Sequence, residues 1–213
     1  MSSTLQWLQL GGPALLVLLA LSVGALTITI VKFWEFFELR IWRRDFVARA
    51  AEAWQRRQAD QALAILQAQR GPLAQVMQHA VAQLRGGLDD AAAREQAAQY
   101  AQEKLDDERG LLRPLEVIAM LAPLVGLLGT VLGMIRVFQR LQQAGGDVNP
   151  VALSGGLWEA LLTTAAGLAV AIVALAAFHL LDRTVERLQL DMEGALTRIF
   201  ARQQQPLRAA HAA

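Results

Sequence analysis

The chain has no cysteine among its 213 residues, so it can form no disulfide, thiolate zinc site or cysteine-held iron–sulfur cluster. Its three histidines, His79, His179 and His211, are too scattered in sequence for a local metal motif. Redox and metal-centred chemistry have almost nothing to rest on, and no cofactor is expected. Charge is scarce as well: 18% of residues are Asp, Glu, Lys or Arg, against about a quarter in a soluble domain. Neither sign prevails, with 20 basic and 19 acidic side chains. A nucleic-acid binder, which needs a basic excess to neutralise phosphates, is thereby disfavoured. No catalytic triad, metal cluster or phosphate-cradling glycine loop occurs, and an enzyme is the weakest reading.

What remains is apolar, and it is concentrated. Met1 to Val31 carries no Asp, Glu, Lys or Arg, and its core, Pro13 to Val31, reads PALLVLLALSVGALTITIV. At a rise of about 1.5 Å per residue this run covers roughly 28 Å, close to a hydrocarbon core of about 30 Å. Trp7 and Trp34 flank it as interfacial anchors would. A cleaved signal peptide would want a basic start, a shorter apolar stretch and a small-residue cleavage site, whereas this start lacks Lys and Arg and KFWEFFELRIW follows. Val117 to Ile135 and Ala160 to Leu181 are two further runs without charge. The fold class expected is an all-α integral membrane protein with three transmembrane helices and long cytoplasmic helical extensions. Three such runs as buried helices of a soluble protein would need a polar shell the other residues cannot supply.

Lys and Arg near span ends set orientation, because they are retained on the cytoplasmic side. Span one has none before it, and Lys32, Arg40, Arg43, Arg44 and Arg49 after it. The amino terminus is therefore expected outside, in the periplasm, and the carboxyl terminus inside. Arg136 and Arg140 oppose the rule locally and are outvoted. The resulting organisation is an outer terminus and first span over 1–31, an inner region over 32–114, a second span over 115–138, an outer loop over 139–154, a third span over 155–181 and an inner tail over 182–213.

The inner region, with 13 basic and 12 acidic residues between Lys32 and Arg113, has the look of solvated helices. FWEFFELRIWRRDFVARAAEAW should continue the first helix without a break, since it holds no Gly or Pro. Gly71 and Pro72 mark a stop and a restart, and PLAQVMQHAVAQLR should form a short helix ending at Gly86 and Gly87. Asp89 and Asp90 suit the start of an Ala-rich and Glu-rich helix that could feed into span two, with Pro114 as a kink. Beyond span three, Leu181, Val185, Leu188, Met192, Ala195 and Ile199 recur at helical spacing. They predict one apolar face packed on the inner helices; a membrane-surface helix is the sharper alternative, which the interspersed acids disfavour.

Inside the spans, small and polar residues stand out. Ala122, Gly126 and Thr130 recur every four residues in span two, Gly129 and Gly133 form a second pair, and Gly167 is a small residue of span three. Such faces let helices approach closely, so packing alone is one reading. Glu159 lies one turn before Thr163, and an ionisable group in or near a membrane is by default a functional candidate; its alternative is a harmless place among outer headgroups beside Trp158. Because the two spans run in opposite directions, Thr130 should meet the level of Thr163 and Thr164. No Asp, Glu, Lys or His occupies the middle of any span, so this chain alone has no acid to relay a proton there.

The segments LEVIAMLAPLVGLLGTVLGMIRVF and SGGLWEALLTTAAGLAVAIVALAAF, covering Leu115 to Phe178, resemble the second and third spans of the MotA/TolQ/ExbB proton channel family, especially its ExbB type. The AP, GLLGTVLG and EALLTTAAG elements occur together in the family's order. The resemblance implies a homopentameric ring in the bacterial inner membrane, enclosing the single spans of two ExbD-like chains and coupled to a TonB-like protein that energises outer-membrane receptors. It implies that the partner helix brings the proton-accepting Asp. It also implies that Thr130 and Thr164 face the pore and that Glu159 is the family's glutamate at the start of span three, with Thr163 beside them. Val173 stands where relatives often carry proline. A TolQ-like subunit of the Tol-Pal envelope system would use the same membrane chemistry, and a non-conducting membrane scaffold is the rival from another class.

Overall fold

The computed structural model describes residues 12–38, 44–143 and 150–201. Trp7, Arg40, Arg43 and His211 lie outside them. Among the described residues there are seven α-helices and no strand: α1 Gly12–Glu38, α2 Asp45–Gln55, α3 Ala59–Gln67, α4 Pro72–Arg85, α5 Asp90–Gly110, α6 Leu112–Gln143 and α7 Pro150–Phe200. Pro13–Glu38, Leu112–Gln143 and Ser154–Phe200 are long and apolar enough to cross a membrane, and each contains one of the three charge-free runs.

The chain divides into two compact units, one from Met1–Val31 with Leu111–Leu180 and the other from Lys32–Gly110 with Leu181–Ala213. The first is built from α1 to Val31, α6, and α7 to Leu180. Its core is thin: Leu18, Ala122 and Ala171, backed by Val125, Ala166 and Val170. Large apolar side chains point outward all around it, among them Leu19, Val23, Leu124, Leu127, Leu161 and Ile172. Soluble monomers rarely expose patches of that extent, whereas hydrocarbon covers them at no cost. The hydroxyls of Thr27 and Thr29 donate to Val23 O and Ala25 O, one turn back, at 2.8 and 2.7 Å. Satisfied in this way, they can sit in an apolar helix without an outside partner.

The second unit is a stack in which α2 packs on α3, α3 on α4 and α4 on α5. The α5 stripe Ala93, Ala97, Ala101 and Leu105 is buried, as are Leu73, Val76, Met77, Ala80 and Val81 of α4. The carboxyl-terminal part of α7 completes this core: Leu181, Val185, Leu188, Met192, Ala195 and Ile199 are all buried, as the spacing predicts. Trp54 Nε1 donates to Ile199 O at 3.2 Å, and Arg44 pairs with Asp191 at 2.7 Å. The face is thus used for packing and not left for a membrane surface.

Pro72 takes the first turn of α4, where its missing N–H costs nothing. Asp89 Oδ2 accepts the Ala91 N–H at 3.3 Å at the start of α5. Gly87, with φ +83°, turns the chain between these helices, a conformation open to glycine without strain. Two expectations are corrected. The helix through FWEFF does not run on to Trp54: Arg44 is an N-cap and Asp45 opens a new helix, where its carboxylate favours the amino-terminal end of the dipole. Nor does α5 feed into α6. A continuous helix would need a bond from residue 114 to Gly110 O that proline cannot make. Helix α6 instead restarts at Leu112, which puts Pro114 in the first turn.

Candidate functional site

The small residues of α6 form one buried face, Ala122, Gly126, Gly129, Gly133 and Val137, at the spacing of a helix side that can be approached closely. Helix α7 lies against it in antiparallel register. A Cβ placed on Gly126 would meet Thr163 O at 3.0 Å and Thr164 Cα at 3.2 Å; on Gly133 it would meet Ala160 Cβ at 2.9 Å. On Gly156 it would collide with Val137. At Gly167 the approach is tightest, 2.6 Å to Ala122 O and 3.0 Å to Gly126 Cα. Glycine is required here because the two backbones nearly touch. Helix α1 adds a third wall at Gly129, whose Cβ would lie 3.1 Å from Ala14 Cβ.

This register sets the polar side chains. Thr164 is half-buried and donates across the interface to Gly126 O at 3.1 Å. Bonds of that kind between membrane helices contribute about 0.6 kcal/mol on average. Thr163 is 1% exposed and donates to Ala160 O at 2.7 Å. Its side chain fills the hollow left by Gly129, where a Cβ would come within 2.6 Å of its hydroxyl. Thr163 therefore lies within the chain's own helix packing. Thr130 is half-buried on the flank of the α6 face and donates to Leu127 O at 2.6 Å. Its neighbour Gly129 meets Thr163, so Thr130 and Thr163 share a level and Thr164 follows within a turn. With their protons committed to backbone carbonyls, the three hydroxyls retain acceptor lone pairs and no free donor.

Glu159 lies one turn from Thr163, about 6 Å along the helix. Its Oε1 is 3.2 Å from Arg136 Nη1 of α6, with side chains 18% and 39% exposed. Burial of a lone ionised carboxylate in such a setting costs several kcal/mol, so the cation is its natural counterweight. The guanidinium lies off the hydrogen-bond direction, and Oε1, though buried, has no hydrogen-bond donor among the described residues. In the sequence Arg136 stands out only as a breach of the charge rule; its further signal is a cation placed level with an acid on the neighbouring span.

A second charged cluster lies in the other unit. Lys32 is 2% exposed, with Nζ 2.8 Å from Glu35 Oε2 and 3.2 Å from Glu108 Oε2, and it sits over the Phe36 ring. Glu108 continues the buried stripe of α5, and burial holds its carboxyl above the ordinary value, against the pull of Lys32. No sequence pattern hints at this pair, whose members are 76 residues apart.

The chain has relatives among known proteins. The chain is 42% identical over 105 residues to the biopolymer transport protein exbB1 of Vibrio cholerae, covering 47% of this chain and 46% of that one. It is 54% identical over 69 residues to an ExbB-like 1 protein of Synechocystis, covering 32% and 27%. With the biopolymer transport protein ExbB of Neisseria gonorrhoeae it shares 40% over 76 residues, covering 36% and 34%. The matches thus span less than half the length of these relatives. The MotA/TolQ/ExbB proton channel family matches residues 68–194, which take in α4, α5, α6 and most of α7 and amount to more than half of the chain. On that match the chain belongs to the MotA/TolQ/ExbB proton channel family, as an ExbB-like member.

Proposed function

We propose that the chain is an inner-membrane proton-channel subunit, without enzymatic activity, that works with an ExbD-like single-span protein carrying the proton-accepting Asp. Together they convert proton motive force into mechanical work on a TonB-like protein and so energise outer-membrane transport. The amino terminus faces the periplasm and the carboxyl terminus the cytoplasm. Five copies form a ring around the partner spans, with Thr130 and Thr164 toward the interior and Glu159 and Thr163 beside them on the proton path.

The observation that carries this reading is the polar layer at Thr130, Thr163 and Thr164, held by glycine contacts between α6 and α7. Hydroxyls that accept but do not titrate can order water beside a proton path. They cannot store the proton at the membrane centre. The absence of any Asp, Glu, Lys or His at mid-span favours a partner as the source of the acid. Family membership and the relatives named biopolymer transport proteins favour the same reading.

Purification from a native membrane with an ExbD-like chain, followed by native mass measurement, tests it. A mass of five copies with two partner spans is the expected result. Recovery of the chain alone, with no single-span protein carrying an acid, would favour a scaffold.

A further inference from the structure

We propose that Arg136 is the positioning residue for Glu159, holding its carboxylate as an oriented anion one turn from the threonine layer. This rests on the reading of Glu159 as part of the proton path. Arg136 stands at the end of α6 where the distribution of Lys and Arg over the chain leaves no reason for a cation, so a local need must retain it. Its Nη1 is 3.2 Å from Glu159 Oε1 on α7, while its Nε donates to Leu132 O at 3.4 Å, anchoring the guanidinium to its own helix.

The carboxylate is also incompletely hydrogen-bonded. Glu159 is half-buried beside Ala160 and Gly156, both buried, and Gly133 and Val137 bring α6 too close for another side chain to enter between. Arg136 is the cation placed on it, yet Oε1 has no hydrogen-bond donor among the described residues. The carboxylate is thus charge-balanced and fixed without being saturated. Oε1 is sealed against Arg136, and the 18% of the side chain that stays exposed is where the carboxylate can accept from a water or a hydronium ion approaching the layer.

The experiment compares Arg136→Met, Arg136→Lys, Glu159→Gln and the double variant Arg136→Met with Glu159→Gln. Each is co-expressed with the ExbD-like partner at matched membrane abundance, and partner-dependent proton flux into liposomes is measured. Methionine keeps the stem and removes the charge; lysine restores the charge on a different head. Arg136→Met is expected to lose flux at least fivefold, to the level of Glu159→Gln. Arg136→Lys should recover half or more of the wild-type flux, and the double variant should be no worse than Glu159→Gln alone. A stem that merely packs would be served by methionine, so recovery by lysine but not methionine identifies the charge. If Glu159→Gln is impaired while Arg136→Met conducts normally, the positioning role is overturned and the proton-path reading stands. If Glu159→Gln itself conducts normally, the proton-path reading of Glu159 falls and takes the positioning role with it.

Discussion

Gly167→Ala tests whether the α6–α7 contact sets the site. A Cβ there would sit 2.6 Å from Ala122 O and 3.0 Å from Gly126 Cα, against 3.4 Å for ordinary contact. Both obstacles are backbone, so no rotamer change relieves them and the helices must part by about 0.8 Å, from 2.6 to 3.4 Å. The same motion takes the Thr164 to Gly126 hydrogen bond from 3.1 Å beyond bonding range. Overpacking costs about 1–3 kcal/mol and the lost bond about 0.6, while alanine returns up to about 1 kcal/mol of helix propensity. A net loss of about 2 kcal/mol remains. At roughly 2–4 °C per kcal/mol for a chain of this size, Tm in lipid nanodiscs should fall by about 4–8 °C, read from tryptophan fluorescence. Gly194→Ala is the control: nothing lies within 4 Å of its Cβ, so it should hold or raise Tm. A Gly167→Ala protein that melts with the wild type would refute the claim that backbone contact at this point fixes the register.

Thr130→Val with Thr164→Val keeps shape and removes both hydroxyls, so membrane abundance should persist with Tm lower by no more than a few degrees, while partner-dependent proton flux drops at least severalfold; wild-type flux would leave the layer as packing. In the other unit, burial raises the Glu108 carboxyl above 4.5, so the folded chain holds this proton more tightly than the unfolded one. The stability that Glu108 contributes is therefore complete below 4.5 and is lost as pH climbs through the raised value. The Tm of the wild type relative to Glu108→Gln should decline as pH rises above 4.5; a difference constant across that range would show that Glu108 is not desolvated as described. Lys32→Met leaves Glu108 buried without its cation and should cost about 3 kcal/mol or more near neutral pH, measured by the same melting assay. A melt equal to wild type would mean that the pair carries no stability.

The three spans were legible because a bilayer crossing demands some twenty residues without charge and a soluble fold seldom tolerates such a gap. The inner face of α7 was legible because six apolar residues kept helical phase from Leu181 to Ile199. The α6 face could be read for a related reason: glycine and alanine at intervals of three and four mark where another backbone can come near. The breaks were not legible. Arg57 takes φ 62° between α2 and α3, a left-handed turn made without glycine and therefore without a sequence signal. Pro114 read as a kink but serves as a helix start, since the same missing N–H allows both. At the site, spacing placed Thr163 with Thr164 on the polar layer, and the register separates their tasks: Thr163 fills the hollow at Gly129 and Thr164 reaches across to Gly126. Arg136 with Glu159, and Lys32 with Glu108, are pairings between distant helices. Neither partner's local pattern names the other.

The claim that this chain supplies the path and a partner supplies the acid is most directly tested by proton flux into liposomes holding the purified chain alone or the chain with its ExbD-like partner. With no titratable group at mid-span, the chain alone should conduct at the rate of empty liposomes, and the complex should conduct well above it under an inward proton gradient. Strong proton flux through the chain alone would contradict the account.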